Sequence, residues 1–389
     1  MQTTRRVVTR LVVVVLLAAG CGGRPAGGSW LQAVETVAPG VELYRSTDPT
    51  LVEPAAPVTA HFLKLDPARI RLESALAHGQ IMGPQRVDGI AAREGALAAV
   101  NGGFFNTRNG EPAGVLKVDG ELVSDNGPLK GAVVIRAGPD GHTALTFDLI
   151  AARMNLRYTA NGREWLVPID GVDTTRARGK LMLYTPTYHA HTDTAANGIE
   201  WVLEGRPMRV RDIQSNVGRA QIPRTGYALS YGGLDLPEAL AALTDGVPVT
   251  LETDWRTEAG LPIDHLEAAD HIVSGAGLLR RAGTPIWNWD AESLKRETFT
   301  DVRHPRTMIG LDKDGSIWLV VVDGRQLDHS VGMNFAELQR LADRLSLTDA
   351  LNLDGGGSTT MVVKGKVINR PSDPTGPRAV SDAIVVIGR

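Results

Sequence analysis

Residues 317–353 constrain the fold of this chain more than any other stretch. Ile317-Trp318-Leu319-Val320-Val321-Val322 is apolar throughout, the pattern of a strand buried on both faces, and it stops at Asp323-Gly324-Arg325. Asn334 with Glu337 three residues on is a helix N-cap signature, and Phe335, Leu338, Leu341, Ala342 and Leu345 mark one apolar helix face. Residues 350–353 form a second short apolar strand. Strand, helix and strand in that order make a βαβ unit, whose crossover helix leaves the two strands parallel. Asp323 and Asp354 then follow the same ends of two parallel strands. At roughly 4.8 Å per strand, adjacent or next-adjacent strands let the two carboxylates face each other across one ligand.

Asp354 opens Asp354-Gly355-Gly356-Gly357-Ser358-Thr359-Thr360. Three successive glycines let main-chain N–H groups converge on an anion or a sugar oxygen, because backbone without Cβ approaches closely and visits positive φ. The plain structural reading is a glycine-rich hairpin. A nucleotide loop of the Walker type is the weaker reading, since it needs Gly-Lys-Ser/Thr directly before a helix and no lysine precedes Ser358. Asn101-Gly102-Gly103-Phe104-Phe105-Asn106 repeats the theme after the apolar strand 97–100, and the ends of such strands are where α/β-type sheets place ligands. Its plain reading is a turn with two core phenylalanines.

The rest of the chain reads as strands with few helices. Short alternating runs occupy 58–73, a helix 87–94 follows, and a meander of strands runs from 115 to 147 with a hairpin at Asp119-Gly120. A middle segment, 150–235, is loop-rich. There His189 and His191 have metal-ligand spacing, but an exposed loop is the simpler reading. The expected class is α+β: mixed β-sheets with a C-terminal βαβ unit and helices packed on the sheet.

The first 21 residues read as a signal segment. Arg5, Arg6 and Arg10 precede an apolar run over 11–19, and Ala18-Ala19-Gly20 offers a cleavage site before Cys21. A lone cysteine directly after such a site is similar to a bacterial lipoprotein signal, so export and lipid anchoring through Cys21 are expected. With one cysteine in 389 residues there is no internal disulfide and no cysteine-based metal cluster. Residues 24–29, rich in Gly and Pro, suit a tether. The expected division is signal 1–21, tether and extension 22–57, and one domain over 58–389. A formal net charge of −3 argues against nucleic-acid binding and leaves the membrane to the anchor alone.

Arginine binds phosphate through a planar fork of donors, which makes Arg306 and Arg325 candidate clamps. Paired carboxylates serve glycosidic cleavage, one as acid and one as nucleophile or base. The residues by themselves point to an exported enzyme acting on a phosphorylated or sugar ligand.

Taken together, Asn101-Gly102-Gly103-Phe104-Phe105, Arg306-Thr307, Asp323-Gly324-Arg325 with Ser330-Val331-Gly332-Met333, Asn352-Leu353-Asp354-Gly355-Gly356-Gly357-Ser358 and Asn369-Arg370-Pro371-Ser372-Asp373 resemble the phosphodiester glycosidase family. The resemblance spans about residues 58–389. It implies hydrolysis of a sugar-1-phosphodiester at the anomeric C–O bond, leaving phosphate on the other partner. It also implies Asp354 or Asp323 as nucleophile or base, Arg306 and Arg325 on the phosphodiester, and His304 as an acid. Asn101, Gly102, Gly103, Asn352, Gly355, Gly356, Gly357, Ser358 and Asn369 would hold the substrate. A divalent cation, Ca or Mg, between Asp323, Asn352 and Asp354 fits hard-oxygen ligation. Expected substrates are sugar-phosphodiester or glycan chains of the envelope, N-acetylglucosamine phosphodiesters among them. The alternatives are an anchored glycan-binding protein without turnover and a glycosidase for neutral links.

Overall fold

A computed structural model of the chain describes residues 30–138 and 140–389. The expected signal segment with Cys21, and the tether at 24–29, lie outside the described residues.

Ile317–Val322 is buried at every position, and its side chains alternate between two cores. Ile317, Leu319 and Val321 pack with Leu63, Ile309 and Leu351. Trp318, Val320 and Val322 meet Phe335, Leu338, Leu341 and Ala342 of the helix Phe335–Arg344. Each such side chain contributes roughly 1.5–3 kcal/mol on full burial. The helix starts with a capping box: the Asn334 side chain accepts the Glu337 N–H at 2.9 Å, and the Glu337 carboxylate accepts the Asn334 N–H at 2.9 Å.

An eight-stranded sheet holds this strand, in the order Gln32–Ala38, Val41–Ser46, Ala60–Leu65, Ile317–Val322, Arg306–Asp312, Leu347–Asn352, Leu278–Arg281, Thr284–Pro285. Two expectations change here. First, Arg306–Asp312 stands between Ile317–Val322 and Leu347–Asn352, antiparallel to both. The strands joined by the helix run in one direction but share no ladder, so a paired βαβ unit does not form. The cause is local: Asp312 Oδ1 accepts the N–H groups of Asp314 and Ser316, which closes a tight hairpin, and the helix must cross over its first strand. Second, the residues assigned to an extension before 58 belong to the folded body, because Gln32–Ala38 and Val41–Ser46 form the edge of this sheet through Ala60–Leu65.

The architecture is mostly β, with strands at 45% and helices at 12%, rather than an even α+β mixture. The middle segment is not loop-rich. Thr143–Ala160 is an 18-residue strand that pairs with Asn126–Ala137, Arg163–Pro168 and Val249–Thr257. Between residues 171 and 231 lies a separate five-stranded sheet. His189 and His191 stack edge-on with ring centroids 4.6 Å apart, and among the described residues no three His, Cys, Asp or Glu side chains are grouped to hold a metal ion.

A second five-stranded sheet completes the fold, in the order Lys366–Val367, Met361–Val363, Ala98–Asn101, Asp382–Gly388, Ile70–Leu76, antiparallel throughout. Leu72, Val100 and Ile384 from this sheet share one core with Leu319 and Leu351 from the eight-stranded sheet. The ends of strands from both sheets therefore meet around residues 101–103 and 354–360.

Candidate active site

Asp354 follows the strand Leu347–Asn352 and is half-buried where the two sheets meet. Its N–H donates to Gly102 O at 3.2 Å, and its carboxylate accepts the Gly355 N–H at 2.8 Å. Burial pushes its carboxyl up to about 6. The Ser358 hydroxyl, the Gly355 N–H and the Arg378 cation oppose that rise, and the Asp382 carboxylate adds to it. Ser358 Oγ has no partner at hydrogen-bond geometry among the described residues, so its influence on Asp354 is weaker than a formed bond.

The second carboxylate of the site is therefore Asp382, which sequence reasoning missed, and not Asp323. Asp382 begins the strand Asp382–Gly388, antiparallel to Ala98–Asn101, so the start of one strand meets the end of the other. Its Oδ2 accepts the Gly103 N–H at 3.2 Å, Ser381 Oγ donates to Oδ1 at 2.7 Å, and burial raises its carboxyl. A polar pair heading the apolar run 383–387 was the available signal, a mirror image of the apolar strands that end in Asp323 and Asp354.

Asp323 is turned away into protein. His329 Nε2 donates to its Oδ2 at 2.8 Å, Asn369 Nδ2 donates to Oδ1 at 3.0 Å, and the Arg370 N–H is shared between both oxygens at 3.1 Å. With 1% of its surface exposed, it is a latch between loops rather than a nucleophile. Asn369 spends its other bonds on Thr359 O and the Met361 N–H. Of the residues expected to hold a cation, Asp323 spends both carboxylate oxygens on His329, Asn369 and Arg370, and Asn352 Nδ2 donates to Ala276 O and Leu353 O while its Oδ1 has no partner among the described residues.

Asn101 is likewise structural. Its amide nitrogen donates to Asp354 O at 2.7 Å, and its oxygen accepts from Thr307 Oγ1 at 2.7 Å and the Thr360 N–H at 3.2 Å. It ties three segments of the site and leaves no sugar contact of its own.

Arg306 and Arg325, though within electrostatic reach of each other, take different partners. Arg306 is buried between Phe299 and Phe335 and donates to the carbonyls of Met333, Phe299 and Val302 at 2.9, 2.6 and 3.0 Å. Burial lowers it to about 9. It braces the loop rather than clamping phosphate. Arg325 is exposed, has no carboxylate partner among the described residues, and lies against the glycine turn. A Cβ on Gly356, whose φ is +60°, would come within 3.0 Å of its Nη2. His304 does not fit the acid role: Nε2 lies 3.2 Å from Thr298 O and Nδ1 3.2 Å from Arg325 Nη2. A carbonyl only accepts and a guanidinium only donates, so the ring proton sits on Nε2 and Nδ1 is bare. Burial keeps the ring's pKa low, consistent with that neutral tautomer.

Beyond Gly356, the ion pair Arg378–Asp373, at 2.9 Å, covers Gly357, where a Cβ would meet Asp373 Oδ1 and Arg378 Nη2 at 2.2 Å. Gly355 abuts Pro305 O in the same way at 2.7 Å. Ser358 Oγ, Thr359 Oγ1, Thr360 Oγ1, Asn352 Oδ1 and Ser274 Oγ are buried without a partner among the described residues. Buried polar atoms are normally satisfied, so waters or ligand hydroxyls belong there. Beside Asp382 and Gly103 the free space is about 10 Å³, too little for a sugar ring. The arrangement offers two neighbouring carboxylates, Asp354 and Asp382, one guanidinium without a carboxylate partner among the described residues and a turn of glycines and hydroxyls, a set suited to a sugar carrying an anionic group.

A family model described as phosphodiester glycosidase matches residues 197–387. That range takes in Arg325, Asp354 and Asp382 and leaves out Asn101-Gly102-Gly103. The N-acetylglucosamine-1-phosphodiester alpha-N-acetylglucosaminidase of Bos taurus is 35% identical over 151 residues, 35% of this chain. The chain spans only 28% of that relative's length. Among solved structures, a hypothetical protein from Synechocystis superposes with a TM-score of 0.74 at 21% identity, over 92% of this chain and 64% of that one. The zebrafish N-acetylglucosamine-1-phosphodiester alpha-N-acetylglucosaminidase catalytic domain, auto-inhibited by its pro-peptide, superposes with a TM-score of 0.52 at 20% identity, over 92% and 88% of the two chains. These two likenesses are of fold.

Proposed function

The chain belongs to the phosphodiester glycosidase family, and from that premise we propose that it hydrolyses the glycosidic C–O bond of a sugar-1-phosphodiester, of the N-acetylglucosamine type, in an envelope or extracellular glycan. The observation that carries this reading is Asp354, raised to about 6, at the head of a glycine turn whose Gly356 lies against Arg325, a guanidinium without a carboxylate partner among the described residues. Arg325 supplies fork-shaped donors to the diester's single negative charge. Ionised Asp354 either takes a proton from water or attacks C1 itself. In both routes water's oxygen ends on C1, the C1–O bond breaks with its electron pair moving to the phosphate oxygen, and the partner leaves as a phosphomonoester. A phosphodiester is already a good leaving group, so positioning and charge stabilisation outweigh acid assistance. That removes any need for His304 to give up its proton.

The test is hydrolysis of UDP-N-acetylglucosamine and a panel of sugar-1-phosphodiesters in ¹⁸O-water, with Asp354→Asn beside the unaltered chain. Label in the released sugar and none in the phosphate, abolished by the substitution, is the expected result. Label in the phosphate overturns C–O cleavage. No release with glycan binding intact favours an anchored binding protein.

We further propose export and anchoring through Cys21, on the sequence pattern alone. Palmitate labelling that persists in Cys21→Ala would refute it.

A further inference from the structure

A groove of about 1070 Å³ shares no residue with the Asp354 site. It lies between the turn at Asp119-Gly120, the strand Val249–Thr257, and loops carrying Arg206 and Arg224. Its size is at the upper end of small-ligand sites, which run about 300–1,000 Å³, leaving room for more than one sugar ring.

The charges in it are of both signs and partly uncommitted. Arg206 and Arg224 are exposed, and neither guanidinium makes a hydrogen bond or ion pair among the described residues. Lys117, by contrast, is spent on the carbonyls of Leu266 and Glu267 at 2.9 and 2.6 Å, and Glu252 is paired with Arg157 at 2.6 Å. Three carboxylates remain: Asp119, whose one charged neighbour is the His271 ring at 4.0 Å, Glu121 and Glu267. Burial raises the Glu121 carboxyl, and the Tyr227 hydroxyl beside it opposes the rise. Beneath these groups lie Met154, Leu251 and Trp255.

A polyanion would gain two arginines but meet three carboxylates, and a polycation would meet the reverse. A neutral ligand rich in hydroxyls satisfies both, since each hydroxyl donates to a carboxylate and accepts from a guanidinium while the C–H face of the ring rests on apolar side chains. We propose that this groove is a second, non-hydrolytic site that binds a neutral oligosaccharide chain.

The experiment uses the full chain carrying Asp354→Asn, titrated calorimetrically with neutral tetra- to hexasaccharides, with polyphosphate and polylysine as contrasts. Binding of a neutral oligosaccharide is expected, weakened about fivefold to tenfold by Arg206→Ala or Arg224→Ala, the weight of one exposed charge-assisted hydrogen bond. Turnover of a small soluble diester by the otherwise unaltered chain should not change with either substitution. Binding that the double variant leaves intact overturns the proposal, as does binding of polyphosphate or polylysine alone, or of nothing in the panel. Because binding is read on a chain without Asp354, failure of the hydrolytic reading would appear in the turnover assay and leave this result separate.

Discussion

Asp382 occupies the space that a side chain at Gly102 would need: a Cβ there would lie 1.8 Å from its Oδ2. Gly102→Ala must push aside either a buried carboxylate or the strand end that bonds Asp354, and overpacking of this kind costs about 1–3 kcal/mol or more. A clear fall in Tm with loss of turnover is expected. Unchanged melting would mean that Asp382 is not packed against this backbone.

Asp382→Asn keeps an acceptor for the Gly103 N–H while removing a like charge from beside Asp354. The pH at which activity rises should then move down. The shift should be less than about one unit, because burial, and not Asp382, is the main cause of the elevated Asp354 pKa. A pH–rate profile of the variant checks this, and an upward move would contradict it.

Asp354 itself sets two pH dependences. Activity should climb through about pH 6 as the carboxylate ionises, then level off. Stability runs the other way. With the folded pKa above the unfolded value near 3.8, the native state holds the extra proton, so stability falls as pH rises from about 4 to about 6 and stays lower above. The contribution is on the order of 2–3 kcal/mol. Asp354→Asn should therefore be inactive yet more stable at pH 7, with the gain vanishing near pH 4. Melting curves at the two pH values decide it.

Asp323→Ala should behave oppositely. It strands the buried amide of Asn369 and the part-buried donors of Arg370 and His329, a buried unpaired group costing roughly 1–3 kcal/mol and a part-buried one less. A large loss of stability at every pH is the expected signature. A stable, correctly folded and inactive Asp323→Ala would restore it as a catalytic residue.

Arg325→Gln should raise KM for phosphodiester substrates by about ten- to a hundredfold with little change in Tm, since the side chain is exposed and its one contact is with a part-exposed histidine ring. Arg306→Lys should do the reverse, lowering Tm because an ammonium cannot reproduce three carbonyl bonds and two aromatic contacts. Parallel kinetics and melting of the two variants separate clamp from brace.

The local signals were legible in the chain. The apolar run 317–322, the Asn334–Glu337 cap and the glycine turn after Asp354 stand where the sequence puts them, because each depends on side chains a few residues apart. The middle segment was harder. Its strands alternate polar and apolar residues over long ladders, and only cross-strand partners such as Val249–Thr257 make that pattern a sheet.

By itself, then, the sequence determined which strands are buried on both faces, where the helix of residues 335–344 begins, and that Asp354 heads a glycine turn. The tertiary structure decided which charged groups share that turn. Asp323 and Asp354 follow equivalent strands, but one carboxylate is surrounded by N–H donors from residues 329, 369 and 370, while the other meets Asp382, far along the chain and on another sheet. Arg306 and Arg325 are near in sequence, yet burial between two phenylalanines makes the first a brace, while the second is exposed over Gly356 without a carboxylate partner among the described residues. Strand formation depends on local pattern, whereas a side chain's charge, partners and solvent exposure depend on whatever the fold brings against it.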